Sequence, residues 1–143
     1  MVIRLPPHQV PMLWDAIKFA ASKTAGISDS DLPLYLNRLL NSLLNSTAHC
    51  FVRLDDNRVL MAVAITRTIA DEVTGEKSLF INCLYSFKGV DEKQWEDDIG
   101  IIKDFAIKQG CGKITTYTSS ERVSEIAKAN GFKERFRCFM LEV

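Results

Sequence analysis

The side chains of this chain that could carry chemistry are few. Its two histidines, His8 and His49, form no HxxxH or similar pair, so a histidine-based metal site is not expected and both are read as surface or strand-edge residues. Its four cysteines, Cys50, Cys83, Cys111 and Cys138, lie too far apart for the close pairs of zinc sites and are too few for a disulfide scaffold, so all are expected as reduced thiols. Cys83 has no histidine or cationic run beside it, which reads as a small buried thiol and not a nucleophile. Acid–base work needs a proton acceptor and a donor. Tyr85, near the end of an apolar stretch, is the best remaining donor, with Tyr117 placed alike, though each reads more readily as a half-buried packing aromatic. Asn82 is an amide that takes no proton and could only orient a ligand. Glu72 and Glu76 flank a turn, where charge ordinarily serves solubility.

One acidic run stands out: Asp91, Glu92, Glu96, Asp97 and Asp98, with Lys93 as the only cation among them. It opens a helix, and carboxylates in a first turn stabilise a helix by about 0.3–1 kcal/mol each. They also cap its free N–H groups.

The elements that must position these residues follow from the spacing of apolar residues. Val2–Leu5 alternates apolar and basic residues before a double proline, as a short edge strand does. In 10–21, Met12, Leu13, Ala16, Ile17, Phe19 and Ala20 recur at helical spacing, with Pro11 in the opening turn and Gly26 beyond the end. A second helix is predicted to about Asn45, with Ser30 as cap, Pro33 in the first turn and a stripe of Leu36, Leu39, Leu40, Leu43 and Leu44. Strands follow at 48–54, 59–69 and 78–87, joined by polar turns as an antiparallel meander. Trp95, Ile99, Ile102 and Ala106 mark a long helix over 92–108, closed by Gly110. Residues 113–118 read as a strand, Ser119 or Ser120 caps a helix to Ala129, and 132–143 is expected to return as a last strand.

The order is β-α-α-β-β-β-α-β-α-β, an α/β arrangement with a mixed sheet covered by helices on both faces. A length of 143 residues suits one domain, 1–143, with its own core. Lysine plus arginine, 18, equals aspartate plus glutamate, 18, so the excess positive charge of a nucleic-acid binder is missing. No stretch approaches the roughly 20 apolar residues of a membrane span, nor is there a signal-type run, so a cytoplasmic protein is expected.

That order resembles the GNAT N-acetyltransferase superfamily, and local phrases are similar as well. Residues 101–114, with Ala106, Gly110 and Cys111, resemble that family's third helix, its Ala-x-x-x-Gly-Cys ending and the start of its fifth strand. The segment from Ser120 to Asn130-Gly131-Phe132 resembles its fourth helix and closing Gly-Phe, and 55–60 its second hairpin. The similarity covers the chain from about Cys50 to the end; the first two helices match only by position and length.

The resemblance implies a GNAT-like acyltransferase fold and a loop of the form Gln/Arg-x-x-Gly-x-Gly/Ala that holds the diphosphate of an acyl-coenzyme A. Glycines there let backbone N–H groups and the helix dipole meet the anion. Here the two glycine positions fall near Lys93 and Trp95, the Gln/Arg position falls near Val90, and 90–99 contains no glycine; Gly89 and Gly100 stand too far apart to substitute. The tyrosine that many members use as general acid corresponds to Ala127, and a frequent asparagine to about Ser120, better explained as a cap. Trp95 either anchors the third helix in the core or closes the old cofactor site from outside.

The expectation is therefore a binding or structural module with a degenerate cofactor loop and no cofactor, as in some small phage-encoded and mobile-element proteins with this fold. The alternative is an active N-acetyltransferase carrying acetyl from acetyl-CoA to an unknown amine, held between splayed fourth and fifth strands. In that case Tyr85 and Asn82 would be the catalytic positions, and Leu84, Tyr85, Lys93 and Ser120 would meet the cofactor. The partner expected is a protein or small amine, with no nucleic acid and no membrane. The apolar last strand, 136–141, is long enough to need a neighbour, supplied either by the fifth strand or by a partner chain as a homodimer.

Overall fold

The computed structural model describes residues 1–143. Its elements are β1 (Val2–Leu5), a 3-10 turn (Pro7–Gln9), α1 (Val10–Thr24), α2 (Leu32–Leu44), β2 (Ala48–Leu54), β3 (Leu60–Ala70), β4 (Lys77–Ser86), α3 (Glu92–Lys108), β5 (Lys113–Thr116) and α4 (Glu121–Ala129). One five-stranded sheet runs β1-β2-β3-β4-β5. The first four strands pair antiparallel, and β5 joins β4 in parallel. A parallel neighbour needs a crossover, which α3 supplies.

The two faces of the sheet are packed differently. Under α1 and α2 lies a 13-residue core that includes Val10, Ile17, Leu43, Cys50, Val63 and Ile65. The other face, under α3 and α4, holds two smaller clusters of five and three buried residues, one around Leu79 and Ile102, the other around Val90 and Trp95. Helix α3 starts from a full capping box: Asp91 accepts from the Gln94 N–H at 2.8 Å while the Gln94 side chain accepts from the Asp91 N–H at 3.1 Å. Helix α4 starts from Ser120, whose hydroxyl accepts from the Val123 N–H at 3.3 Å, yet it buries none of its residues.

Three expectations need correction. Helix α1 runs on to Thr24 before Gly26, at φ +64°, turns the chain. The residue before α2 is Asp31 and not Ser30; neither side chain caps the helix, because the Ser28 hydroxyl donates to Asp31 at 2.9 Å and draws that carboxylate into the preceding turn. The last strand does not form. Residues 133–143 make no ladder and are exposed, with Phe136, Phe139, Met140 and Leu141 all 84–90% accessible. The edge available to them, β5, is four residues long, and the tail offers it no apolar face, since Lys133, Glu134 and Arg135 lead it and Phe139, Met140 and Leu141 would point to both sides.

Candidate functional site

The site begins where β4 and β5 part. Their pairing ends at Ile81 with Thr116, whose hydroxyl donates to the Ile81 carbonyl at 3.0 Å, whereas β4 continues to Ser86 with no strand on that side. At the same place β4 carries a bulge: Cys83 pairs with Ile65 and Ile81 with Thr66, so Asn82 is the extra residue. A bulge shifts the side-chain alternation by one. Leu79, Ile81 and Leu84 therefore face α3, while Cys83 and Tyr85 face α1 and α2. Two buried side-chain oxygens, of Asn82 and Thr66, have no hydrogen-bond partner at this bulge.

Below the divergence lies an apolar cleft of about 40 Å³ between the sheet and helices α3 and α4. Leu84, Trp95, Ile102, Ile126 and Ala127 contribute to its walls, and 15 of its 18 lining residues are hydrophobic. Arg53, Asp98 and Thr116 also line it, and the indole N–H of Trp95 is buried without a hydrogen-bond partner. Arg53 Nε stands 3.4 Å from Asp98 Oδ1, both side chains being at most a tenth exposed, but the two are not aligned as a hydrogen bond. Burial pushes the Asp98 carboxyl up to about 6; Arg53 and the amino terminus pull the other way without cancelling it, and Asp97 adds to the rise.

The residues singled out from sequence end up in different places. Leu84 lines the cleft and Asn82 sits at the bulge beside it. Tyr85 turns to the opposite face, edge-on to Phe19 at 5.9 Å and to Phe87 at 5.1 Å. Lys93 is exposed and lies 3.5 Å from Asp97 and 3.9 Å from Glu96, charges of its own helix. Ser120 serves as a cap. Tyr117 is 77% exposed against Phe80. Trp95 is a core anchor, 4% exposed, settling the choice between its two readings. Cys83 is buried with its thiol pushed up to about 11, so it is no thiolate at neutral pH, and all four cysteines are free.

Sequence reasoning missed Arg53, and it read Asp98 only as one of the acidic run that opens α3. The signal was present: Asp98 falls three residues after Trp95 and four before Ile102, on the buried stripe, and Arg53 interrupts the apolar run 50–54.

No helix is long and apolar enough to cross a membrane. No family model matches the chain, and no curated protein matches it in sequence. Solved structures do match along its whole length. A probable acetyltransferase superposes with a TM-score of 0.77 at 13% identity, covering 100% of this chain and 97% of that one. A predicted acetyltransferase from Clostridium acetobutylicum, solved with acetyl-CoA, gives 0.77 at 15% identity over 99% and 95% of the two chains. An aminoglycoside 6'-N-acetyltransferase from Acinetobacter baumannii gives 0.70 at 10% identity over 100% and 97%. The chain has the GNAT acyltransferase fold.

Proposed function

We propose that this domain is a ligand-binding module on the GNAT fold that does not hold an acyl-coenzyme A by its diphosphate. One observation carries the reading: the amino terminus of α3, where the resemblance would seat that diphosphate, is occupied by its own capping box. Asp91 already takes the Gln94 N–H, and Glu92 adds a second carboxylate in the first turn, while Glu96 and Asp97 further along pair with Lys93. A phosphate arriving there meets a carboxylate in its place and no glycine to let backbone approach. Acetyl-CoA therefore does not fit this end of the site.

A second reading, an N-acetyltransferase, is favoured by the unpaired stretch of β4 beyond Ile81 and by the bulge at Asn82. It would use the open strand edge near Asn82 and Leu84 to hold an acyl-coenzyme A, with Lys93 and Ser120 further out. Tyr85 would have to reach around β4 to act there. Isothermal titration with acetyl-CoA separates the two readings: no heat at millimolar ligand is expected, and a micromolar Kd overturns the module reading in favour of the enzyme.

A further inference from the structure

Three aromatic rings gather where β4 loses its neighbour, on the face under α1. Tyr85 and Phe87 lie past Ile81, the last residue of β4 that pairs with β5, and Phe19 of α1 leans on both. The ring centroids stand 5.9 Å apart for Phe19 and Tyr85, 6.1 Å for Phe19 and Phe87, and 5.1 Å for Tyr85 and Phe87. Phe19 and Phe87 nonetheless stay 47% and 36% exposed. Rings left open beside an unpaired strand edge offer flat apolar surface on which a further ring can stack.

The charge at this cluster selects the sign of its ligand. The Lys23 ammonium lies over the Phe19 ring, 5.4 Å from its centroid, and pairs with no carboxylate. Such a contact is weak at an exposed site, and the flexible lysine stem can leave the ring for a stronger partner. Lys88, the cation next to Phe87, is already held by Asp55 at 3.4 Å. Helix α1 runs antiparallel to β4 here, since Phe19 meets Tyr85 and Thr24 lies against Cys83. Lys23 therefore stands toward the bulge at Asn82 while the rings stand toward the end of the strand, one helical turn or about 6 Å apart along α1.

We propose that the Phe19, Tyr85 and Phe87 cluster binds a small aromatic carboxylate, with its ring on Phe19 and Phe87 and its carboxylate on Lys23. The ligand's ring takes the place of the ammonium on Phe19, and the ammonium turns to the carboxylate. A cationic ligand would meet Lys23 as a like charge, and an aliphatic acid would forgo the ring contacts. Spacing sets the length: an acid whose carboxylate sits two carbons from its ring spans the turn between Phe19 and Lys23, and benzoate does not. The assignment deepens the reading of the domain as a ligand-binding module by naming the class of ligand. Heat from acetyl-CoA refutes that reading and the probes below refute this assignment, so the two fail separately.

Titration of the full chain with 3-phenylpropanoate at neutral pH, followed by NMR of the backbone amides, tests it. The Phe19, Lys23, Tyr85 and Phe87 signals should shift on saturable, millimolar binding, while the indole N–H of Trp95, buried on the other face, stays put as an internal reference. Propanoate, which lacks the ring, should bind at least about tenfold more weakly. The uncharged 3-phenylpropanamide should bind about threefold more weakly, the scale of one exposed ion pair. Lys23→Gln changes an exposed side chain and should bring the acid down to the affinity of the amide, whereas Lys23→Arg should keep it. Equal affinity for acid and amide in the wild type overturns the proposal, as does a Lys23→Gln chain that binds the acid unchanged. Shifts that never saturate, or that reach Trp95 equally, also overturn it.

Discussion

The two faces of the sheet divide the work of this domain. The face under α1 and α2 is filled: its 13 buried core residues are almost wholly apolar, and the Cys50 and Cys83 thiols within it are pushed up to about 12 and about 11 by burial. The face under α3 and α4 is less filled, with smaller clusters, a cleft and a helix that has no fully buried residue. Close packing leaves no room for a ligand, and a loose face does not hold a fold together. One side therefore carries more of the stability than the other.

The sharpest way to break that comparison is to remove the same atoms from each face. Ile17→Ala, at a fully buried position of α1, should cost about 2–5 kcal/mol. Ile126→Ala, at a half-buried position of α4, should cost about 1 kcal/mol or less. Equal losses in urea melts would mean that the second face is as well packed as the first.

A smaller effect concerns Asp98. Unfolded, its carboxyl releases its proton near 3.8; folded, it holds that proton up to about 6. Between those values the folded chain binds more protons, so this group's contribution to stability is full below pH 3.8 and is lost as pH rises through 6. The loss is on the order of 3 kcal/mol for a shift of this size. Asp55 and Asp71, held below the usual carboxylate range by backbone hydrogen bonds from Val59 and Thr74 respectively, act with the opposite sign. Comparing wild type with Asp98→Asn cancels those terms: the wild type should lose stability relative to the variant between pH 4 and pH 7. Parallel profiles would show that Asp98 titrates normally and that the cleft is wet.

The smallest effect is expected at the tail. A chain ending at Phe132 should melt within about 0.5 kcal/mol of the full one, because residues 133–143 make no hydrogen bond and cover nothing. A large drop, or a dimer in the full chain that is lost on truncation, would show that the tail pairs with a β5 edge in solution.

Much of the fold could be read in the chain itself. Helical spacing from Trp95 to Ala106 marked α3, the turn at 55–58 joined β2 to β3, and Ser120 with Gly131 bounded α4. These are local signals, fixed by residues a turn or a hairpin apart. The glycine-free, acidic start of α3 was also legible, and the structure gives it a definite form in the Asp91–Gln94 capping box. What remained hidden depended on contacts across long stretches of chain. The bulge at Asn82 turns Tyr85 away from Leu84 because β3 pairs out of step with β4, and no residue in β4 alone announces it. Arg53 and Asp98 are 45 residues apart and meet only because α3 crosses back over β2, which makes a surface-looking acid a buried one. The sequence by itself determined most of the elements and the glycine-free, acidic start of α3; tertiary packing alone decided which face was filled and that Arg53 and Asp98 are buried together, since burial belongs to the assembled sheet and not to any one segment.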